Sequence, residues 1–351
     1  MNRHAVVLAL ISAALFGAST PAAKALLGST NPAILAGLLY CGAGLGVAIL
    51  RRLRRAWVPR PDAPEVALSR KELPWLGGAI VAGGVLGPVL LMTGLTQTDA
   101  GTASLLLTLE GVATALMAWF IFHENFDRRI AAGMACLVAG AIVLSWSGQP
   151  TLPGLFGPIA IAGACVAWGL DNNLTRKVSL ADPLQIVELK GLIAGPVNLA
   201  LGLSAGGHLP GFSVTAAAGV IGFLGYGVSL ALFVLALRHL GTARTGAYFS
   251  TAPFLGTLVA VVFLQEPLTV QLLAAGVLMA AGVWLHLTED HAHDHVHEPV
   301  EHAHPHIHDE HHGHPHGPQD PAGEPHTHPH RHERHAHRHP HTPDTHHQHK
   351  H

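Results

Sequence analysis

The stretch that decides the fold runs from Ala100 to Glu124 and reads AGTASLLLTLEGVATALMAWFIFHE. A second stretch, from Leu240 to Glu266, reads LGTARTGAYFSTAPFLGTLVAVVFLQE. Both carry Gly-Thr-Ala near the start and end with an apolar residue, a polar residue and Glu. The apolar run between these ends is long enough to cross a bilayer, which takes about 17–25 residues. The two stretches therefore indicate a repeated membrane-crossing unit.

Apolar runs of this kind recur along the whole chain of 351 residues, which is 49% hydrophobic and 12% charged. That balance excludes an ordinary soluble domain. Internal Gly and Pro do not interrupt the prediction, because neighbouring helices in a membrane satisfy the freed backbone groups. An all-α integral membrane protein with ten transmembrane helices is predicted, over about 4–26, 32–50, 74–95, 100–122, 128–146, 154–175, 185–203, 213–237, 241–264 and 268–287.

The first run also has the features of a signal peptide, a basic start before an apolar stretch and small residues after it. Against that interpretation, the run has a counterpart in the second half: Phe16-Gly17 matches Trp168-Gly169, and Lys24 matches Arg176. Each unit holds five spans, over residues 1–146 and 152–288. Because five is odd, the second unit must be inverted relative to the first. Inverted repeats are typical of secondary transporters.

These features also carry a family resemblance. The chain resembles EamA-type carriers of the drug/metabolite transporter superfamily, with ten spans in two five-span units. An apolar–Glu element closes the fourth helix of each unit, Phe122-His123-Glu124 and Leu264-Gln265-Glu266-Pro267. The resemblance covers about residues 1–288. It implies an exporter of a small metabolite, an amino acid or related compound, with a cavity between the halves. It does not identify the substrate.

Positive charge is distributed unequally between the two sides of the predicted membrane. Arg51, Arg52, Arg54 and Arg55 follow the second span, and basic residues recur after every second span thereafter. The positive-inside rule then places both termini in the cytoplasm. The predicted location is the inner (plasma) membrane, with multiple passes.

Glu110 is the strongest candidate site residue. It lies near the middle of the fourth span, where insertion of a charged side chain costs about 2.5–3.5 kcal/mol. Its repeat counterpart is the apolar Ala252. One interpretation is a substrate-binding or proton-coupling carboxylate. The other is a hydrogen-bonded carboxyl group that holds helices together.

Four more polar residues lie near span ends. Asp171 and Asn172, followed by Asn173, close the sixth span and are interpreted as a substrate gate, as a helix-end cap, or as the site of an ion pair with Arg176. Glu188 and Lys190 lie early in the seventh span, two residues apart, and should face different sides of the helix. They either line the transport path or reach toward the membrane interface.

Three further residues have two interpretations each. Lys24 either binds an anionic substrate group or extends toward the outer surface. Trp168 and Tyr248 either line a cavity or pack between helices.

Glu124 and Glu266 occupy equivalent repeat positions, which favours a structural role such as ending a helix or capping the next one.

Residues 289–351 differ from the rest of the chain. They carry 4 Lys/Arg, 11 Asp/Glu and 24 of the 29 His, with almost no large apolar side chains. Such a segment is predicted to be a disordered cytoplasmic tail. Its His-x-His alternation suits Zn, Ni, Co or Cu. The candidate ligands are His291, His293, His295, His297, His302, His304, His306 and His308. A metal buffer or sensor and a solvated tail without a dedicated task both remain open; a purification tag is disfavoured because the histidines are dispersed.

The sequence contains no enzyme motif and no phosphate-binding loop. A secondary transporter with a metal-binding regulatory tail is the leading expectation, with no cofactor required for transport. The alternative is a divalent Zn/Ni/Co transporter that captures metal with the tail. Expected partners are a small-molecule substrate, the lipid bilayer and transition-metal ions, without nucleic acid; a homodimer is a further expectation.

Overall fold

The computed structural model describes residues 3–28, 30–57, 68–122, 128–146, 152–178, 182–240 and 242–287, and the backbone of four short segments of the tail. In this part of the chain the membrane body is entirely helical. Its α-helices are α1 (Arg3–Leu27), α2 (Pro32–Trp57), α3 (Leu73–Ala79), α4 (Gly87–Leu95), α5 (Ala100–Leu106), α6 (Leu109–Phe122), α7 (Arg128–Ser145), α8 (Leu152–Arg176), α9 (Pro183–Ser204), α10 (Phe212–Gly222), α11 (Ser229–Leu240), α12 (Thr242–Phe249), α13 (Ala252–Phe263) and α14 (Val270–Leu287).

Two of the helical rods change geometry near their middle. A π-helical segment over Ile80–Leu86 joins α3 to α4, and another over Phe223–Val228 joins α10 to α11. A π-turn contains more residues than an α-turn and leaves carbonyl groups available to neighbouring side chains. The two segments fall in the third and eighth predicted spans, which are equivalent positions of the predicted repeat.

Eight helices within the described residues are long and apolar enough to cross a membrane. The last two predicted spans are shorter: α12 and α13 are separated by a turn at Ser250–Thr251, and α14 begins at Val270. Large apolar side chains cover the outside of the body; Phe120 is 64% exposed and Val277 is 70% exposed. An apolar exterior is what lipid contact requires, so this is a multi-pass membrane protein.

Helices from the two predicted units pack against one another reciprocally. Helix α1 contacts α11 and α13, while α8 contacts α4 and α6. Helix α2 faces α9, and α7 faces α14. The α2–α9 contact depends on small residues, because a Cβ added to Gly44 would lie 2.6 Å from the Leu192 nitrogen. Close backbone approach of this kind is a common way for membrane helices to associate.

The tail differs from its sequence-based prediction. Its described segments form four strands, β1 (Ala292–His297), β2 (Glu301–His306), β3 (His326–Arg331) and β4 (His335–Pro340), whereas a disordered tail was expected. Strand β1 pairs with β4 and β2 pairs with β3, both antiparallel. The prediction considered the lack of apolar side chains, but strict alternation also fits the period of two residues of a β-strand.

Candidate functional site

A cavity of about 410 Å³ opens between α6 and the end of α8. Its α6 wall comes from positions one and two turns apart, which project from one face of a helix. Its α8 wall is a pair of neighbouring asparagines. The lining residues are Glu110, Gly111, Thr114, Ala115, Ala118, Asn172 and Asn173. The cavity therefore combines one carboxylate with a few neutral polar groups and small side chains.

Glu110 reaches this cavity because the fourth predicted span is broken. Helix α5 ends at Leu106 and α6 begins at Leu109, which puts Glu110 in the first turn of α6. The Glu110 amide donates to the Leu107 carbonyl at 3.0 Å across the break. A carboxylate in a first helical turn interacts favourably with the positive end of the helix dipole. The break thus supplies a local reason for an acidic residue in an apolar span.

Asn172 joins the two walls of the cavity. Its amide nitrogen donates to Glu110 Oε1 at 2.9 Å and to Thr114 Oγ1 at 3.2 Å. The neighbouring Asn173 donates to the carbonyls of Thr114, at 3.2 Å, and Gly169, at 2.8 Å. Two predicted residues, Glu110 and Asn172, are therefore in direct contact. Thr114 was not predicted; its spacing of four residues after Glu110 was the available signal.

An ion pair lies beside this cavity. Lys190 Nζ contacts Asp171 Oδ1 at 2.5 Å and Thr175 Oγ1 at 2.9 Å, joining α9 to α8. Asp171 and Lys190 are near enough to Glu110 to act on it electrostatically. The Arg176 side chain, with which Asp171 was expected to form an ion pair, lies outside the described side chains, so that pairing stays a prediction. Sequence spacing favoured the nearer basic residue, whereas helix packing brings the more distant Lys190 against Asp171.

Glu188 faces a different partner, as its spacing from Lys190 predicts. Arg51 bonds to Glu188 and, at 2.9 Å, to Asp182 Oδ2, so one guanidinium joins α2 to two acids of α9. Asp182 also accepts from the Leu184 amide at 2.9 Å and so caps the start of α9. Glu188 therefore belongs to an ion-pair cluster separate from the residues that line the cavity.

Trp168 holds the π-helical segment of the third span. Its Nε1 donates to the Gly83 carbonyl at 2.9 Å, and the Tyr40 hydroxyl donates to the same oxygen at 2.7 Å. Asn198 donates to the next carbonyl, Gly84, at 2.9 Å. These three donors use carbonyl groups in the π-helical stretch. Trp168 thus contacts the backbone beside Asp171, and it does not line the cavity.

Lys24 and Tyr248 contact other parts of the helical body and do not line the cavity beside Glu110. Lys24 Nζ donates to the carbonyls of Leu95 and, at 3.0 Å, Thr98, where α4 ends. Carbonyls at a helix end lack intrahelical partners and attract cations. These contacts are to backbone carbonyls near the end of α4, and a substrate-binding role for Lys24 stays a prediction. Tyr248 packs beside the buried Ala5, Ala9 and Ala236, which agrees with its helix-packing interpretation.

Glu266 links the end of α13 to the start of α5. Its two carboxylate oxygens accept from the amides of Ala100 and Gly101, each at 2.7 Å. The preceding Gln265 has a φ of 55°, in the left-handed region, and turns the chain after α13. A capping role was predicted for Glu266, but for the next helix; the capped helix is instead α5. Its repeat counterpart Glu124 lies outside the described residues.

The strand pairing of the tail places histidines at opposite positions. In β1–β4, His293, His295 and His297 pair with His339, His337 and His335. In β2–β3, His302, His304 and His306 pair with His330, His328 and His326. His291 and His308 lie outside the described residues. Among side chains that the structure describes, no group of three or more His, Cys, Asp or Glu has the arrangement of a metal site.

Comparison with known proteins gives a consistent result. The family model of the EamA-like transporter family matches twice, over residues 3–146 and 155–288. A relative from Methanothermobacter thermautotrophicus, named an uncharacterized transporter, is 28% identical over 81% of this chain and 87% of its own length. A probable amino-acid metabolite efflux pump of Salmonella typhimurium is 29% identical over 54% of this chain and 67% of its length.

Two further matches are shorter in sequence or more distant. A probable 4-amino-4-deoxy-L-arabinose-phosphoundecaprenol flippase subunit of Pseudomonas fluorescens is 32% identical over 31% of this chain and 92% of its own. A solved structure superimposes with a TM-score of 0.58 over 82% of this chain and 97% of that one. At 18% identity it supports the fold alone.

Proposed function

The chain belongs to the EamA-like transporter family, and from that premise we propose that it exports a small metabolite through the cavity beside Glu110. The observation that carries this proposal is the direct contact between Glu110 and Asn172 across the cavity, at 2.9 Å. Polar groups in a membrane are costly, and they are retained mainly where they bind a substrate or an ion, or satisfy one another. Here one carboxylate oxygen is satisfied by Asn172.

The architecture we propose is ten spans in two inverted five-helix halves. Three observations support it: the family model matches twice, the helices of the two units contact one another reciprocally, and π-helical segments occupy equivalent spans. The broken helix at Glu110 agrees with this scheme, because transporters with inverted repeats often bind substrate at discontinuous helices. Alternating access would then be a movement of one half relative to the other around the cavity.

Transport can be tested with Glu110→Gln, which keeps the shape of the side chain and removes its charge. We expect export measured from cells, by comparing metabolites in the medium, to fall by at least about ten-fold, since a charged hydrogen-bonding group is worth about 1.5–3 kcal/mol. The matched control is Glu72→Gln, on an exposed acid that bonds to the Ser69 amide near the start of α3. Equal export by wild type and Glu110→Gln would contradict the role of the cavity.

For coupling, Glu110 is also the proposed proton-binding group. Export driven by an imposed pH gradient in proteoliposomes should then lose its dependence on the gradient in Glu110→Gln. A variant that keeps the gradient dependence of wild type would exclude Glu110 as the coupling residue. Glu72→Gln again serves as the control.

We propose a second task for the tail, as a cytoplasmic metal-binding regulator. Residues directly opposite one another in an antiparallel pair have Cβ atoms about 4.5–5.5 Å apart, so opposite His positions suit two imidazole ligands to one ion. We expect equilibrium dialysis to detect Zn²⁺ on the full chain at pH 7.4 and little on a chain ending at residue 288. Protonation of His at pH 5.5 should release the metal. Equal binding by both chains would contradict a tail site.

The alternative function, a divalent-metal transporter, makes a different prediction. It requires flux of Zn²⁺, Ni²⁺ or Co²⁺ into proteoliposomes, lost when the tail is removed, with no organic solute exported. Export of an organic solute by the chain that ends at residue 288 would exclude it. A location in the inner membrane, cytoplasmic termini and a homodimer stay predictions of the sequence.

A further inference from the structure

The donors and the acceptors that line the cavity differ in how much of their hydrogen-bonding capacity is already used within the protein. The amide nitrogen of Asn172 makes two hydrogen bonds, and so does that of Asn173, which is as many as each has hydrogens. The Thr114 hydroxyl donates to the Glu110 carbonyl at 2.8 Å. Every side-chain donor that lines the cavity is therefore already used within the protein.

Acceptors, in contrast, remain available. Asn172 donates to Glu110 Oε1, and among the described residues Glu110 Oε2 receives no hydrogen bond. The amide oxygen of Asn172 likewise has no described donor. A carboxylate oxygen can accept two hydrogen bonds and an amide oxygen can do the same. The cavity thus offers acceptors to a ligand and no side-chain donors.

The charges point the same way. Lys190 is a cation that acts on Glu110, and its ammonium is already bonded to Asp171 and Thr175. Lys190 and Asp171 thus neutralise each other, and among the described residues no cation is bonded to the Glu110 carboxylate. A positive ligand would neutralise the remaining charge, whereas an anionic ligand would meet a like charge at low dielectric.

We propose that the cavity selects solutes that carry a primary ammonium group, and that it rejects carboxylate or phosphate groups at the same position. An ammonium has three donors and no acceptor, which complements Glu110 Oε2 and Asn172 Oδ1. The small side chains of Gly111, Ala115 and Ala118 leave space for the carbon part of the solute. This proposal rests on the proposed export function, because it assigns the substrate class of the same cavity.

The test is a binding measurement on the full chain in lipid nanodiscs at pH 7, with three probes that share one carbon body. They are 2-phenylethylamine, 2-phenylethanol and 3-phenylpropionate. We expect the amine to bind about ten-fold or more tightly than the alcohol, as a charge-assisted hydrogen bond would give. The propionate should bind more weakly than the alcohol. Glu110→Gln should remove the preference for the amine over the alcohol.

The comparison of probes on wild type needs no variant and so does not depend on whether Glu110→Gln folds. An amine that binds no better than the alcohol, including the case in which neither binds, overturns the proposal. So does an amine preference that persists in Glu110→Gln. Transport is measured separately, with the same amine in proteoliposomes. Amine binding that depends on Glu110, without transport of the amine, refutes the export function alone. Export of an anionic solute by wild type that is lost when Ala115→Trp fills the cavity refutes the ammonium class alone.

Discussion

Replacing Glu266 by Ala tests how the two predicted halves are joined at the start of α5. In the native protein the two carboxylate oxygens accept from Ala100 and Gly101 at 2.7 Å each. The substitution leaves two amide donors at a helix start without their acceptor and removes a favourable charge from the positive end of the helix dipole. Because an unsatisfied buried group costs about 1–3 kcal/mol and loss of a cap about 1 kcal/mol, we expect a loss of about 3 kcal/mol.

That loss should lower the midpoint of thermal unfolding by about 6 °C, taking about 2 °C per kcal/mol for a chain of this size. Intrinsic tryptophan fluorescence of the purified protein in a mild detergent measures it. Glu266→Gln keeps one acceptor oxygen and should lose about half as much. Glu72→Ala is the control, since Glu72 makes one exposed local bond to the Ser69 amide at 2.6 Å. A midpoint for Glu266→Ala equal to that of the control would refute this account of the cap.

Three further predictions concern helix packing, an ion pair and a strained backbone position. Gly83→Ala should prevent normal folding, because the added Cβ would lie 1.9 Å from Asp171 Oδ2. Gly77→Ala is the control and should be harmless, because a Cβ there would have no atom within 4 Å. The yield of monodisperse protein in size-exclusion chromatography compares the two variants. Asp171→Asn and Lys190→Met should each lower the stability of the folded protein by about 3–5 kcal/mol. The double variant, measured in the same thermal-unfolding cycle, should recover most of that loss. Additive losses would argue against the ion pair. Gln265→Gly should increase the free energy of unfolding by about 1 kcal/mol and so raise the unfolding midpoint, because glycine adopts a positive φ without strain. An unchanged midpoint would show that the Gln265 backbone is not strained.

The sequence predicted the extent of the helices better than their interruptions. The sixth span was expected over 154–175 and α8 covers Leu152–Arg176, because hydropathy reports which residues avoid water. The break between α5 and α6 was not predicted, because Thr108 and Gly111 beside it are residue types that continuous membrane helices also contain. The turn at Ser250–Thr251 precedes Pro253, and proline disfavours helix in the residue before it. The sequence-based prediction treated internal proline as compatible with a continuous membrane helix and so did not place a break there.

The candidate site was predicted in part, for a similar reason. Glu110 stands out in any apolar span, because charge at membrane depth requires a compensating interaction. Its contact with Asn172 depends on where α8 lies against α6, and Thr114 is a small polar residue of a kind common in helices. The pairing of Asp171 with Lys190 joins different helices, so spacing along one helix does not reveal it.

The π-helical segment at Ile80–Leu86 also determines the direction in which the side chains of the following helix, α4, project. One extra residue in a regular α-helix would rotate all later side chains by roughly 100°, whereas a wide π-turn accommodates the extra residue without that rotation. A deletion of one residue inside Ile80–Leu86 would be absorbed by a return to α geometry and would keep α4 facing α8. The same deletion in the middle of α2 would turn Gly44 away from α9. Length variation is thus tolerated at one place in the third span, at the expense of the carbonyl that Tyr40 and Trp168 share.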